Sequence, residues 1–451
     1  MARYFGTDGI RGVAGVDLTA SFALTVGRAA ATVLGGKGER AKIVVGRDPR
    51  LSGEMLESAL VAGLMSAGAD VVRLGVMTTP GVAYLTRALG ATAGAVISAS
   101  HNPVDDNGIK FFGPDGFKLS DEDEAAIEAL IDGDAAALVQ RSGLEIGRAI
   151  DHFEGSQKYL AFLKSNAEVE LDGLRVVVDC ANGAASPLAA RLFVDLGAEV
   201  KTVFCQPDGT NINAGCGSTH PEALAREVVR HGAHVGLAFD GDADRLIAVD
   251  ETGAIVDGDY MLSSLGLRMK AEGRLPGDTI VSTVMANFGL VKYLEANGVR
   301  LMMTRVGDRY VVEAMREGGY TLGGEQSGHI VFLDRATTGD GLLTAVLLLS
   351  ALKKSGATLS EFARRWAKYP QVLKNVRVRD KDGWEAHEAI RRAIEDGERE
   401  LGDEGRVLVR PSGTEPLIRV MVEGPDAALA TRIADGIAQA IASAIGESGA
   451  V

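Results

Sequence analysis

Residues 41–75, AKIVVGRDPRLSGEMLESALVAGLMSAGADVVRLG, decide the fold of the N-terminal part of this chain. An apolar, β-branched run, AKIVVGRD, precedes GEMLESALVAGLMSAGA, whose apolar residues recur at helical spacing, and a second short run, ADVVRLG, follows. This order predicts a strand, a helix and a parallel strand, which is the βαβ unit of α/β proteins. The run GAVISASHNP at 94–103 adds another strand. We therefore expect an α/β domain with a mostly parallel sheet.

The same alternation recurs twice further along the chain. One set comprises LRVVVDCANGA, AEVKTVF and AHVGLAFDGDADR, and the next comprises DTIVSTVMANFG, VRLMMTRVGDRY and YTLGGEQSGH. After Tyr369 and Pro370 the pattern changes to strand-like runs around a helical stretch, which predicts a smaller α+β module whose antiparallel strands are joined by RPSGTEP. Because ligands bind at the carboxyl ends of strands in open α/β sheets, the polar runs that close each set are expected to face one cleft. The expected domains are 1–155, 156–255, 256–368 and 369–451.

Composition narrows the class of protein. The chain has 47 Lys+Arg and 61 Asp+Glu, a net charge of -14, which disfavours nucleic acid or an anionic membrane as a partner. Three cysteines without paired spacing indicate a reducing compartment. The start, MARYFGTDGIRG, is unlike a signal peptide, and the apolar run 342–352 is shorter than the roughly 20 residues that span a bilayer. We expect a cytoplasmic protein with a buried helix at 342–352; the oligomeric state stays open, a homodimer included.

A candidate nucleophile lies in GAVISASHNPVDDNGIKFF, residues 94–112. Ser100 follows an apolar strand, and Pro103 restricts the preceding residue to extended geometry. Asn107 and Gly108 predict a turn before the next strand, which brings Lys110 back toward Ser100. The alternative is a polar loop on an ordinary sheet.

A candidate metal site lies in DGDADR, residues 240–245. Asp240, Asp242 and Asp244 directly follow an apolar strand, and their mutual repulsion favours a bound hard cation, with Mg²⁺ the natural ion. A solvated acidic turn is the alternative. An EF-hand loop ending at Glu251 is excluded, because Arg245 takes the place of the required glycine and a strand precedes the loop. Arg245 suits a phosphate group, or else a surface ion pair.

Two glycine-containing loops carry further candidates. GGEQSGH at 323–329 offers Glu325, Ser327 and His329 for sugar hydroxyls, with His329 able to move a proton near neutral pH. A glycine-rich turn with a structural histidine explains this loop about as well. RPSGTEPLIR combines guanidinium groups, hydroxyls and backbone N–H groups, which is typical of a phosphate-binding nest. Its candidate ligands are Arg410, Ser412, Gly413, Thr414 and Arg419. A plain hairpin turn explains the segment about as well.

Three arginines near the N-terminus complete the basic groups. FGTDGIRG contains Arg11, and VGRDPRLSG contains Arg47 and Arg50. They are candidate phosphate ligands, but pairing with Asp8 or Asp48 explains them equally well.

Movement of phosphate between two positions of a sugar phosphate uses a loop serine, a cation site, a sugar loop and a phosphate nest together. At these residues the sequence resembles the α-D-phosphohexomutase family, and most closely its bacterial phosphoglucosamine mutase branch. The resemblance spans nearly the whole chain, in SASHNPxxDNGIK at 98–110, PDGTNINAGCGSTHPE at 207–222, DGDADR at 240–245, RVGDRYV at 305–311, GEQSGH at 324–329, TTGDGLLTA at 337–345 and RPSGTEPLIRV at 410–420.

The resemblance implies three consecutive α/β domains with mixed sheets and a C-terminal α+β phosphate-binding domain around a central cleft. It implies that Ser100 is the phosphorylated serine, which would hold Mg²⁺ together with Asp240, Asp242 and Asp244. The groups near the transferring phosphoryl group would be Arg11, Lys110 and His329. The substrate would be bound by Arg245, Glu325, Ser327, Arg410, Ser412, Gly413 and Thr414.

The implied reaction interconverts glucosamine 6-phosphate and glucosamine 1-phosphate through a phosphoserine enzyme and a 1,6-bisphosphate, which also serves as primer. Its product would supply UDP-N-acetylglucosamine and cell-wall synthesis. Three rivals are a phosphoglucomutase or phosphomannomutase, a Mg²⁺-dependent sugar phosphatase, and a regulator that only binds sugar phosphates. The presence of Ser100 and Lys110 argues against the regulator, because a pure binder needs no nucleophile. Ala243 replaces a glycine that many family members have, and its methyl group is tolerable if this residue has a negative φ.

Overall fold

The computed structural model describes residues 4–6, 8–35, 40–133, 138–412 and 415–446. The chain divides into two compact units. One comprises Met1–Met285 and Val299–Arg365, and the other comprises Ala286–Gly298 and Trp366–Val451. The domain boundaries expected from the sequence stay predictions.

The N-terminal part is an α/β domain with a seven-stranded sheet in the order β1-β2-β6-β5-β3-β4-β7. The strands β3, β4, β5 and β7 are parallel, whereas β1, β2 and β6 pair antiparallel. The sheet is therefore mixed. The strands are β1 Phe5–Gly6, β2 Gly9–Val13, β3 Lys42–Arg47, β4 Asp70–Val76, β5 Ala93–Ile97, β6 Asp106–Phe112 and β7 Ala149–Asp151, and the helices are α1 Ala20–Leu34, α2 Gly53–Ser66, α3 Thr79–Ala88, α4 Asp121–Asp132 and α5 Gly155–Ser165.

Side-chain caps and close packing explain where the first helices form. Thr19 accepts the Phe22 N–H at the start of α1, and Thr78 accepts the Gly81 N–H at the start of α3. Helices α1 and α2 approach closely, because a Cβ atom at Gly63 would lie only 2.1 Å from a backbone oxygen of α1. The glycine thus permits the contact between the two helices.

The second α/β region has a five-stranded sheet in the order β12-β11-β10-β8-β9. Strands β9, β8 and β10 are parallel, and β11 and β12 continue the sheet antiparallel. Every residue of β10 is buried, so this strand supports the loop that follows it from inside the domain. The elements are β8 Arg175–Asp179, α6 Ala189–Asp195, β9 Glu199–Val203, α7 Glu222–His231, β10 Val235–Phe239, β11 Leu246–Asp250 and β12 Ile255–Val256.

The third α/β region has a four-stranded sheet in the order β14-β13-β15-β16, with only β16 antiparallel to its neighbour. Helix α11 contains the apolar run 342–352, and all these residues are buried, as the sequence predicts. No helix among the described residues is long and apolar enough to cross a membrane. The elements are α8 Gly258–Ala271, β13 Thr279–Thr283, β14 Arg300–Thr304, α10 Asp308–Gly318, β15 Leu322–Gly324, β16 Ile330–Phe332, α11 Gly341–Ser355 and α12 Leu359–Ala363. Helix α9, Phe288–Ala296, lies between β13 and β14 in the chain but belongs to the second compact unit.

The C-terminal part is an α+β module with an antiparallel sheet in the order β17-β19-β18. The strands are β17 Gln371–Arg377, β18 Arg406–Pro411 and β19 Leu417–Glu423, and the helices are α13 Glu388–Leu401 and α14 Ala427–Ile445. Buried Ile and Val side chains from the sheet and both helices form its core. Three α/β regions followed by an α+β module confirm the fold class predicted from the sequence.

Candidate active site

The first loop of the site follows β5, whose residues are all buried. Ser100 is 1% exposed and has a φ of 52°, a left-handed conformation that non-glycine residues seldom adopt. Its N–H donates to Ser98 Oγ at 3.0 Å, and its Oγ donates to Asp240 Oδ2 at 2.7 Å. The neighbouring His101 Nδ1 lies 3.3 Å from the same Oγ. The serine hydroxyl is thus aimed at the first aspartate of the DGDADR loop.

Lys110 is brought to this loop by strand pairing. The turn predicted at Asn107 and Gly108 is wrong, because both residues belong to β6 and the chain reverses before Asp106. Strands β5 and β6 run antiparallel with Val96 opposite Lys110, and Lys110 is 2% exposed. Its Nζ lies 3.0 Å from Asp242 Oδ2 and 2.9 Å from Asp8 Oδ2. Burial alone would lower the pKa of Lys110, but Asp242 and Asp8 raise it above its ordinary value. The lysine therefore places a fixed positive charge beside the aspartates.

The three aspartates of the DGDADR loop form a buried cluster. Asp240, Asp242 and Asp244 each offer an oxygen, and these oxygens lie within 4.8 Å of one another. The Oδ1 atoms of Asp242 and Asp244 are buried and accept no hydrogen bond from any described residue. Carboxylate oxygens that accept no hydrogen bond are available as ligands, and hard divalent cations prefer oxygen ligands. These residues therefore fit a divalent metal ion.

The aspartates differ in their electrostatic surroundings. Burial raises the pKa of Asp240 well above its ordinary value, and the charges of Asp244 and Asp242 raise it further. Burial also acts to raise the pKa of Asp244, but His329, Lys110 and other basic groups lower it below its ordinary value. The cluster therefore contains one carboxylate whose ionisation is disfavoured, Asp240, beside one whose ionisation is favoured, Asp244.

The middle of the metal loop differs from the sequence-based expectation. Ala243 has a φ of 59° and is fully buried, so the condition under which its methyl group was expected to be tolerable, a negative φ, is not met. Left-handed backbone costs a residue with a Cβ about 1–2 kcal/mol. The loop is closed on both sides, since the Ala243 N–H donates to Asp240 O at 3.1 Å and its carbonyl accepts the Gly341 N–H at 3.0 Å. Surrounding hydrogen bonds therefore hold the alanine in the conformation that glycine adopts more readily.

The GEQSGH loop connects β15 to β16. It closes with the Glu325 N–H donating to His329 O at 2.9 Å, and it contacts the metal region where the Leu246 N–H donates to Gly328 O at 3.0 Å. Ser327 Oγ is buried and has no hydrogen-bond partner among the described residues. The loop therefore holds one buried hydroxyl whose hydrogen-bonding capacity the described residues leave unused.

His329 lies between two carboxylates. Its Nδ1 is 3.5 Å from Asp244 Oδ2, and its Nε2 is 3.7 Å from Asp308 Oδ2. Burial alone would lower the pKa of His329, but Asp244 and Asp308 raise it to about 9. The Gly339 N–H points to Nε2 at 3.1 Å. With the Gly339 N–H as donor, Nε2 is the acceptor of a neutral ring, which leaves the proton on Nδ1 facing Asp244. The charged ring, which the two carboxylates favour, loses this contact with Gly339 because both of its nitrogens are donors.

One cavity of about 420 Å³ is lined by five of the predicted residues, Arg11, Asp244, Arg245, Glu325 and His329. The predicted residues Ser100, Lys110, Asp240, Asp242 and Ser327 do not line it. Arg11 enters it from β2, pairs with Asp8 and donates to Asn102 Oδ1 at 3.3 Å. Arg245 has its Nε 3.8 Å from Asp244 Oδ1. The cavity is lined by both signs of charge, including Arg11, His101, Asp244, Arg245, Glu325 and His329.

The RPSGTEP turn lies in the second compact unit, between β18 and β19. Arg410 faces Arg419 across these strands, and burial together with the Arg419 charge lowers the pKa of Arg410. Ser412 Oγ accepts from Arg419 Nη2 at 3.3 Å and from the Glu415 N–H at 3.3 Å. Two guanidinium groups side by side favour an anion. The predicted ligands Gly413 and Thr414 lie outside the described residues.

The structure also brings in residues that the sequence reasoning missed or left open. Lys118 Nζ bridges Asp8 Oδ1 and Asp308 Oδ2, at 2.6 Å from each. Asp308 belongs to the RVGDRYV motif, which was the signal available for it. Arg47 pairs with Glu54 and Glu57, at 2.8 and 2.9 Å, and its side chain forms no ion pair with the Asp8 or Asp48 named from the sequence. Arg50 does pair with Asp48, at 2.8 Å.

Comparison with known families agrees with this geometry. Four models described as Phosphoglucomutase/phosphomannomutase match in order: alpha/beta/alpha domain I at residues 2–137, domain II at 157–253, domain III at 257–369 and the C-terminal domain at 373–440. The chain belongs to this family. This family member is similar to the phosphoglucosamine mutase of Brevibacillus brevis. The two sequences are 57% identical over 97% of this chain and 99% of that protein.

Two further relatives agree. The phosphoglucosamine mutase of Bacillus subtilis is 55% identical over 99% of this chain and 100% of its own length. A crystal structure of a phosphoglucomutase/phosphomannomutase family protein from Burkholderia thailandensis superposes with a TM-score of 0.82 at 28% identity, over 100% of this chain and 99% of that one. The four family models together span residues 2–440, and both of these relatives cover nearly the full chain.

Proposed function

We propose that this family member is a phosphoglucosamine mutase, an intramolecular phosphotransferase that interconverts glucosamine 6-phosphate and glucosamine 1-phosphate. The observation that carries the proposal is the left-handed Ser100, whose Oγ lies 2.7 Å from Asp240 in a buried carboxylate cluster. Relatives named phosphoglucosamine mutase, 57% and 55% identical over nearly the full chain, support this choice of substrate. The reaction belongs to the isomerase class.

Ser100 is the phosphoryl carrier in this proposal. The bond between its Oγ and phosphorus breaks as a sugar hydroxyl attacks phosphorus, which gives a 1,6-bisphosphate. The bisphosphate then turns round, and its other phosphate returns to Ser100. Lys110, Arg11 and His329 are the groups that offset charge or move the hydroxyl proton. Lys110 contacts Asp242, His329 contacts Asp244, and Arg11 donates to Asn102, two residues after Ser100.

The aspartate cluster would hold Mg²⁺. Asp240, Asp242 and Asp244 supply the oxygen ligands, together with the phosphorylated Ser100. When bound, the ion would neutralise charge on the transferring phosphoryl oxygens, where this type of reaction is mostly catalysed. The unpartnered Oδ1 atoms of Asp242 and Asp244 support this assignment.

Two groups of residues take part in substrate recognition in this proposal. In the first compact unit, Glu325 and Ser327 would bind sugar hydroxyls, and Arg245 a phosphate. In the second, the distal phosphate would be held by Arg410, Ser412, Gly413 and Thr414. The four domains 1–155, 156–255, 256–368 and 369–451 are part of this proposal. The last is expected to hinge near Tyr369 and Pro370, since the clamp must release and rebind as the intermediate turns.

The cellular setting follows from the same proposal. The substrate is a small phosphosugar, and a sugar 1,6-bisphosphate primes the serine. The net charge of -14 argues against nucleic-acid and membrane partners. Three free cysteines fit the reducing cytoplasm, where the product would supply UDP-N-acetylglucosamine for cell-wall synthesis. A homodimer remains a separate question for sedimentation.

The decisive experiment is turnover of glucosamine 6-phosphate with MgCl₂ and a catalytic amount of glucosamine 1,6-bisphosphate, followed by ³¹P NMR. We expect glucosamine 1-phosphate to accumulate without inorganic phosphate. Ser100→Ala should abolish turnover, whereas Ser58→Ala, an exposed serine on α2, should not. Net phosphate release would indicate a phosphatase, and faster turnover of glucose or mannose 6-phosphate would indicate the other mutases. Binding of the sugar phosphate with no reaction would indicate a regulator.

A further inference from the structure

The motif PDGTNINAGCGSTHPE at 207–222 has no part in the mechanism given above. It connects β9 to α7, and its backbone contacts several elements around the site. Its Gly209 carbonyl accepts the Leu51 N–H at 2.8 Å, and its Ser218 N–H donates to Phe239 O at 2.9 Å, one residue before Asp240. The segment thus touches both the N-terminal domain and the strand that carries the metal loop.

Asn213 is the residue of this motif that reaches the serine loop. It is 9% exposed, and its φ of 57° is left-handed. Its Nδ2 donates to Ser100 O at 2.9 Å and to Asn102 O at 3.2 Å. Its own N–H is fixed by Ala181 O at 2.9 Å. The buried Asn213 amide therefore donates both of its Nδ2 hydrogens to backbone carbonyls of the serine loop.

Arg50, which belongs to the same N-terminal domain as Ser100 and Asn102, binds the same two carbonyls. Its Nη2 lies 3.0 Å from Ser100 O and 2.8 Å from Asn102 O, and its Nε donates to Asp48 Oδ2 at 2.8 Å. Arg50 is 1% exposed. Each carbonyl thus receives one donor from Arg50 and one from Asn213, which fixes the direction in which it points.

The metal loop leaves little space around this contact. A Cβ atom at Gly241 would lie 2.5 Å from Ser100 O and 2.9 Å from Asn213 Nδ2. The Asn213 amide therefore lies where the serine loop and the metal loop meet. If the Ser100 carbonyl rotated, the left-handed conformation that directs Oγ to Asp240 would be lost.

We propose that Asn213 is a positioning residue for phosphoryl transfer: its amide holds the Ser100 and Asn102 carbonyls so that Ser100 Oγ stays aligned with the aspartate cluster. This inference rests on the proposed function, because it requires Ser100 to be the phosphoryl carrier. Asn213 touches neither sugar nor phosphate in this role. Its loss should therefore slow the transfer steps and leave sugar binding unchanged.

The test compares Asn213→Gly and Asn213→Asp with the wild type. Glycine keeps the left-handed backbone and removes the amide, whereas aspartate keeps the shape and removes both donors. Asn211→Ala is the matched control, since among the described residues the Asn211 side chain bonds only to Gln206 and Asp208 of its own loop. The measurements are kcat and KM for glucosamine 6-phosphate, and the rate at which glucosamine 1,6-bisphosphate phosphorylates Ser100, by quenched-flow intact mass.

We expect both Asn213 variants to lower kcat and the phosphorylation rate by about 100-fold, with KM within about twofold of wild type. A merely structural role would lower the melting temperature without this separation of kcat from KM. The aspartate variant provides the same test if the glycine variant does not fold.

The controls separate the two proposals. If glucosamine 1,6-bisphosphate phosphorylates wild-type protein no more than it phosphorylates Ser100→Ala, the proposed function is wrong. If wild type is phosphorylated on Ser100 and both Asn213 variants react at the wild-type rate, the positioning role is wrong. An equal loss of rate in Asn211→Ala would also overturn it, because the effect would then belong to the loop as a whole.

Discussion

Replacement of Asp240 by asparagine should stabilise the metal-free protein while it abolishes activity. Asp240 lies within 4.8 Å of the ligand oxygens of both Asp242 and Asp244. At 4.8 Å and an effective dielectric constant of about 20, two carboxylates repel by about 3.5 kcal/mol. Lys110, Arg245 and His329 offset much of this repulsion. We therefore expect Asp240→Asn to raise the free energy of unfolding by about 1–3 kcal/mol.

The assay is thermal unfolding in EDTA and in MgCl₂. In EDTA, Asp240→Asn should melt about 2–6 °C above wild type. In MgCl₂, wild type should gain stability because the folded state binds the ion, and the variant should gain much less. Glu395→Gln removes an exposed carboxylate of α13 and serves as the control. The reasoning is refuted if Asp240→Asn melts at or below wild type in EDTA and gains as much from MgCl₂.

Three further predictions follow from local geometry. Ala243→Gly should leave the free energy of unfolding in urea within about 1 kcal/mol of wild type, because relief of backbone strain balances the larger chain entropy of unfolded glycine. Ala243→Val should lower this free energy by about 3 kcal/mol or more, and equal urea midpoints for the two variants would contradict the reasoning. Burial raises the pKa of Asp179 to about 6 against the hydrogen bonds that it accepts, so the native state binds its proton more tightly than the unfolded chain. Wild-type stability should therefore fall by up to about 3 kcal/mol between about pH 4 and pH 6 relative to Asp179→Asn, and parallel pH profiles of the two proteins would refute this. Arg410→Ala should raise KM by about 10-fold or more, while Ser100 still accepts phosphate from excess bisphosphate. The control Arg399→Ala, on an exposed face of α13, should leave KM unchanged. An unchanged KM in Arg410→Ala would exclude a phosphate-binding role for Arg410.

Local sequence was enough to predict the strands and the loops that end them. The buried runs before Ser100 and Asp240 are short, apolar and rich in β-branched residues, and such runs form strands wherever they can be buried. Polar residues that directly follow them must lie at strand ends. The candidate nucleophile and the candidate metal ligands could therefore be named before the fold was known.

The backbone at Ala243 and the direction of some strands could not be predicted in this way. Alanine has no intrinsic preference for a positive φ, and the hydrogen bonds that impose it come from Asp240 and Gly341. Strand β6 pairs antiparallel with β5 because the chain returns through a short loop, so the sheet is mixed where the βαβ pattern alone predicts parallel strands.

The sequence by itself determined the α/β repetition, the C-terminal module, the motifs of the family and the residue types at each strand end, because these depend on neighbours along the chain. Tertiary structure alone decided which of these groups meet. Ser100 reaches Asp240 across 140 residues, and Asn213 reaches Ser100 across 113. Lys118 reaches Asp308 across 190 residues. Such partners are chosen by how whole domains pack, and that packing depends on the burial of surfaces far from the residues that finally make contact.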